Sequence, residues 1–136
     1  MAAGKPSRIV AVVDDDYRVR ESLEQLFHSA GLEHVLFSSA EEALSYEEAQ
    51  QIGCLVTDVR MPGMDGCELQ RRIGEKLPDL AVIFLTAHQD DAVYRHARQH
   101  GAFALLYKPF DGEELLRLIT LALRWNRTQE AFDVDC

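Results

Sequence analysis

Ile9-Val10-Ala11-Val12-Val13 runs straight into Asp14-Asp15-Asp16, and Cys54-Leu55-Val56-Thr57 runs into Asp58. These two stretches set the architecture. A short, continuous, β-branched apolar run is the mark of a strand covered on both faces. Such strands belong to parallel sheets, whose C-terminal ends lie side by side and form the ligand-binding edge of open α/β folds. Ionised carboxylates crowd poorly there: two of them about 4 Å apart repel by roughly 4 kcal/mol at an effective dielectric near 20. A divalent cation removes that cost, so the pattern reads as a magnesium-type site with one carboxylate available for phosphoryl chemistry.

Outward from these strands, Val19, Leu23, Leu26, Phe27 and Ala30 recur at helical spacing, and Gly31 follows as a stop. His34 to Phe37 reads as a second strand. Ser39-Ala40-Glu41-Glu42 is a capping-box pattern that opens a short polar helix. Cys54 to Thr57 is the third strand, and Met61 to Gly66 is a loop by its Pro and Gly content. A helix with Cys67, Ile73 and Leu77 inward ends near Pro78. Ala81 to Leu85 is the fourth strand, with Thr86 at its end. Asp90 to Gln99 is a polar helix closed by Gly101, and Phe103 to Tyr107 is the fifth strand, ended by Lys108-Pro109. Asp111-Gly112-Glu113-Glu114 then caps a helix striped with Leu115, Leu116, Ile119, Ala122 and Leu123.

A β-α unit repeated five times predicts an α/β fold, a doubly wound parallel sheet with helices on both faces and right-handed crossovers. Residues 1–8 form an N-terminal extension and 9–124 one domain. Residues 125–136 lose the apolar period and read as a frayed helix end, then a tail or linker start.

Composition narrows the function classes. A net charge of −9 over 136 residues argues against direct nucleic-acid contact, which needs clustered Lys and Arg. No apolar run approaches the ~20 residues of a membrane-spanning helix. Three cysteines without Cys-x-x-Cys spacing suit reduced thiols and a cytoplasmic location. Cys54 and Cys67 read as small buried apolar groups. His96 and His100 stand at i, i+4 on a helix, a spacing compatible with zinc. The sequence shows no third ligand for them, so an exposed polar face is the expectation.

Four strand ends carry functional groups: Asp14 and Asp15, Asp58, Thr86 and Lys108. Asp58 suits a nucleophile toward phosphorus, with Asp14 and Asp15 holding Mg2+. Lys108 would neutralise phosphoryl oxygens and the Thr86 hydroxyl would donate to one of them. Catalysis of this kind is positioning plus electrostatics.

These motifs, with Thr57-Asp58-Val59-Arg60-Met61-Pro62-Gly63-Met64-Asp65-Gly66, Leu85-Thr86-Ala87 and Lys108-Pro109-Phe110, resemble the signature of bacterial response-regulator receiver domains. The match spans Ile9 to Leu123 and is nearest to receivers that precede a helix-turn-helix output domain. The resemblance implies strand order 2-1-3-4-5, a flavodoxin-like topology. It also implies Mg2+ on Asp14, Asp15, Asp58 and the Arg60 backbone carbonyl, and a cis Lys108-Pro109 bond. By the same resemblance, Asp58 accepts a phosphoryl group from the phosphohistidine of a histidine kinase or a phosphotransfer protein. Thr86 and Lys108 then rearrange and alter a partner or homodimer surface, controlling transcription through an output domain. There would be no direct nucleic-acid contact by this domain, and no membrane contact.

One departure stands out. The switch aromatic of the family lies three residues before the lysine, where this chain has Leu105. Read-out then runs through the Thr86 loop, or Tyr107 substitutes. Arg60 and His88, two residues beyond Asp58 and Thr86, flank the phosphoryl position and are expected to set the aspartyl-phosphate lifetime. Two other classes compete. An aspartyl-phosphate hydrolase would want a second carboxylate where Arg60 stands. A flavodoxin-like carrier would want a hydroxyl- or glycine-rich phosphate loop. A stand-alone receiver acting by protein contact remains open beside the transcriptional reading.

Overall fold

Successive strand residues bury into two separate apolar layers, one on each side of a single sheet. Val10, Val12, Cys54, Val56, Ile83 and Leu85 face one layer, while Ala11, Val13, Leu55, Val82 and Phe84 face the other. A strand turns alternate side chains to opposite faces, so burial of both sets requires a helical cover on each side. The computed structural model, which describes residues 8–87 and 91–135, supplies both covers.

In chain order the elements are β1 (Ile9–Val13), α1 (Tyr17–Ala30), β2 (His34–Phe37), α2 (Ala40–Leu44), a 3-10 turn (Ala49–Gln51) and β3 (Ile52–Asp58). They continue with α3 (Gly66–Lys76), β4 (Ala81–Thr86), α4 (Asp91–Gln99), β5 (Ala104–Tyr107) and α5 (Gly112–Asp135). All neighbouring strands pair in parallel, in the order β2-β1-β3-β4-β5. Leu23 and Phe27 of α1 pack with Leu115, Ile119 and Ala122 of α5 on one face. Ala40 and Ala43 of α2, Leu69 and Ile73 of α3 and Ala97 of α4 cover the other. The expected α/β doubly wound architecture and its strand order are both present.

Local chemistry sets the helix ends. Asp16 caps α1 by accepting from the Arg18 N–H at 2.9 Å, a favourable place for a carboxylate. Gly31, at φ 72°, closes α1 in the left-handed region where glycine carries no Cβ penalty. Ser39 caps α2 through the Glu42 N–H, but the Glu42 carboxylate reaches the Ser38 N–H at 2.7 Å, one residue further back than a capping box requires.

Three expectations are corrected. Ala30, at the end of α1, is exposed. The helix α5 continues to Asp135, through the segment read as tail or linker start. Nothing after Gly112 in that segment is a glycine or proline, so no residue breaks the backbone pattern there. Cys67 is only half-buried: it packs at the margin of the core layer and also lines the groove between α3 and α4. Residues 1–7 of the N-terminal extension lie outside the described residues.

Candidate functional site

Strand order reverses at β1, which has β2 on one side and β3 on the other. That reversal leaves a crevice at the C-terminal ends of β1 and β3. Val13 pairs with Thr57, Asp58 with Leu85 and Thr86 with Tyr107, so the sheet register carries Asp14, Asp58, Thr86 and Lys108 to one edge. The Lys108 N–H donates to the Thr86 carbonyl at 2.8 Å, tying the last two strand ends together. The Lys108-Pro109 bond is cis.

Asp14 is buried, 1% exposed. Its Oδ1 accepts from the Asp16 N–H at 2.9 Å and its Oδ2 from the Lys108 ammonium at 2.9 Å. The Arg20 guanidinium holds the Asp14 carbonyl at 2.7 Å. Asp58 Oδ1 accepts from the Val59 N–H at 2.8 Å, and its Oδ2 lies 3.5 Å from the Lys108 Nζ. Lys108 therefore bridges the two carboxylates, and Asp58 Oδ2 is the more loosely held of the oxygens it touches.

Burial, then the Asp14 charge, pushes the Asp58 carboxyl above its ordinary value, against the opposing pull of Lys108. Burial works to lower the Lys108 ammonium, but the hydrogen bond and charge of Asp14 and the charge of Asp58 prevail and raise it.

Asp15 is exposed beside this pair. Ligand oxygens of Asp14, Asp15 and Asp58 all lie within 4.8 Å of one another. An all-carboxylate donor set with one buried and one half-buried member fits a hard divalent cation such as Mg2+. Thr86 is fully buried at the end of β4. Arg60 is exposed in the loop after β3. Leu105 sits opposite Phe84 and packs in the α2–α4 layer, whereas Tyr107 sits opposite Thr86. His88 lies outside the described residues.

Two supports were not read from the sequence. Asp65 caps α3 by accepting from the Glu68 N–H at 2.9 Å. Gly66 packs its Cα directly on the end of β3: an added Cβ would fall onto the Asp58 carbonyl oxygen, and the Gly66 N–H donates to the Val59 carbonyl at 2.8 Å. The Asp-Gly pair ahead of an apolar helix was the available signal for both, but its Pro and Gly neighbours gave it the look of an ordinary loop.

The family model for the response regulator receiver domain matches residues 10–120. The chain is 40% identical over 119 residues to nodulation protein W of Bradyrhizobium diazoefficiens, covering 88% of this chain and 52% of that protein. It is 40% identical over 122 residues to the DNA-binding transcriptional regulator NtrC of Salmonella typhimurium, covering 90% of this chain and 26% of that one. The crystal structure of a response regulator receiver domain protein from Clostridium thermocellum superposes with a TM-score of 0.83 at 29% identity, covering 90% of this chain and 98% of that one. The chain belongs to the response-regulator receiver family. It spans about half, or about a quarter, of the length of these two curated relatives. Among the described residues no helix is long and apolar enough to cross a membrane.

Proposed function

We propose that this chain is a phosphorylation-activated signalling switch, with Asp58 as the phosphoacceptor. One observation carries the reading. A single ammonium, Lys108, bridges a buried aspartate and a second, loosely held one at the topological switch point of the sheet. Asp58 Oδ2 attacks phosphorus, the phosphorus–nitrogen bond of a donor phosphohistidine breaks, and the imidazole leaves with its electron pair and takes up a proton. The donor is a histidine kinase or a phosphotransfer protein. Lys108 stabilises charge on the equatorial phosphoryl oxygens, and the Thr86 hydroxyl donates to one of them. Asp14, Asp15, Asp58 and the Arg60 carbonyl would hold Mg2+, which neutralises phosphoryl charge when bound.

The chain promotes its own phosphorylation and is not a turnover enzyme. The rearrangement at Thr86 and at the β5 residues Leu105 and Tyr107 changes a partner or homodimer surface. Control of transcription is carried over from relatives such as NtrC, whose name describes a DNA-binding regulator. The free Cys54 and Cys67 thiols suit the cytoplasm, which we take as its location.

Acetyl phosphate with Mg2+ should add one base-labile phosphoryl group per chain by intact mass, and Asp58→Asn should abolish it. Many rapid turnovers of a small phosphate ester would instead establish a hydrolase. Arg60 and His88 are assigned to restrict attacking water. Arg60→Ala should speed dephosphorylation several-fold, followed as loss of radiolabel; an unchanged lifetime removes that role.

A further inference from the structure

We propose that Arg20 is a positioning residue of the phosphorylation site: by holding the Asp14 carbonyl it fixes the peptide that carries Asp15, and so sets how tightly the carboxylates hold Mg2+. The inference rests on the switch reading of Asp58, and it adds a residue that is neither a reacting group nor a metal ligand in that reading.

Every polar group of Asp14 has a partner. Its N–H donates to the Phe37 carbonyl at 3.2 Å, and its two carboxylate oxygens accept from the Asp16 N–H and from Lys108, both at 2.9 Å. Its carbonyl accepts from Arg20 Nη1 at 2.7 Å, the shortest of the four contacts. That carbonyl belongs to the peptide joining Asp14 to Asp15. A peptide unit is planar, so an anchor on its oxygen also sets the direction of the Asp15 N–H and Cα. Asp15 is exposed, yet its carboxylate stays within 4.8 Å of ligand oxygens of Asp14 and Asp58. Crowding three carboxylates is unfavourable without a cation between them, so an unanchored Asp15 would swing toward water. The Arg20 contact opposes that swing.

Arg20 is itself held in place. It is half-buried on the first turn of α1, and its Cζ lies 5.9 Å from the centroid of the Tyr17 ring, within cation–π range. Hydrogen bonds from Ser38 first, and the Arg20 charge after them, keep the exposed Glu42 carboxyl below its ordinary value. The guanidinium therefore lies between the loop after β1 and the start of α2, and its bond to the Asp14 carbonyl is charge-assisted.

Two consequences of this cation have opposite signs. As a positive charge near the acidic trio it repels Mg2+, so its loss alone would tighten binding. As an anchor it keeps the ligand oxygens together, so its loss would weaken binding. The direction of the change separates charge from positioning.

The test is Mg2+ titration of the unphosphorylated full chain, followed by NMR of its backbone amides. Labelling by acetyl phosphate across a range of Mg2+ concentrations runs in parallel. Arg20→Ala should weaken Mg2+ binding about tenfold, as loss of a residue that orients metal ligands does. The Mg2+ needed for half-maximal labelling should rise by the same factor, while excess Mg2+ restores the rate. Arg20→Lys keeps the charge and a donor on a more flexible stem, and should fall between parent and Arg20→Ala. Arg20→Gln decides the matter if Arg20→Ala does not fold. Unchanged or tighter Mg2+ binding in these neutral variants, or a smaller labelled fraction at unchanged half-maximal Mg2+, overturns the assignment. A parent chain that neither binds Mg2+ nor takes up label overturns the switch reading, and the role of Arg20 with it.

Discussion

Lys108–Asp14 at the strand ends and Arg71–Glu68 on α3 are both short ion contacts, 2.9 and 2.6 Å, yet they belong to different levels of structure. The first joins residues 94 apart in the chain, one of them 1% exposed. The second joins residues three apart, with side chains 55% and 35% exposed. Sheet register creates the first and helical spacing creates the second. Low dielectric and desolvation raise the stakes at the strand ends, whereas water screens the helix pair. A shared contact type therefore carries a large energetic consequence in one place and little in the other.

Removing the bridging ammonium tests this contrast most harshly. Lys108→Ala leaves Asp14 buried without its cation, a loss of about 3 kcal/mol for the metal-free protein. Urea unfolding in EDTA measures it, and Mg2+ should restore much of the loss if the three carboxylates hold the ion. A variant as stable as the parent in EDTA would show that the bridge contributes nothing.

Asp58→Asn acts in the opposite direction and more gently. The folded pKa of Asp58 lies above its ordinary value, so the folded state binds the extra proton and stability falls as pH rises through that window. The penalty is fully present above the folded pKa and absent below the ordinary carboxylate value. The neutral amide should therefore raise Tm by a few degrees at pH 7 in EDTA, with the gain fading near pH 3. A gain that persists undiminished at acid pH would point to packing rather than charge.

The smallest effect belongs to α3. Hydrogen bonds from Arg71 and Arg72 hold the exposed Glu68 carboxyl at about 2. With its folded pKa depressed, its contribution is present above the ordinary carboxylate range and is lost as pH falls toward 2. Solvent screening keeps that contribution small. Glu68→Gln should barely move Tm, and high salt should erase the difference. A loss comparable to that of Lys108→Ala would erase the distinction between the two regions.

Much of the fold was legible because it is written in local pattern. β1 and β2 have the residues expected of them, and Asp16, Gly31 and Ser39 act at the helix ends where their chemistry placed them. The site was legible at its strand ends for a related reason: a polar group directly after a buried apolar run has only the sheet edge to occupy. Gly66 was less legible, since its role is a close approach between two backbones that sequence spacing does not encode. The length of α5 escaped because loss of an apolar stripe does not stop a backbone that nothing breaks.

Residue order was enough to specify the parallel α/β alternation, the carboxylates at its strand ends and the helix caps, because each depends on neighbours a few residues away. Three-dimensional packing was needed to bring Lys108 to Asp14 and Asp58 together, and to set Tyr107 rather than Leu105 opposite Thr86. The same packing placed Cys67 across a groove from His96 and His100. These are relations between distant segments, set by strand register and helix packing, and no local pattern carries them.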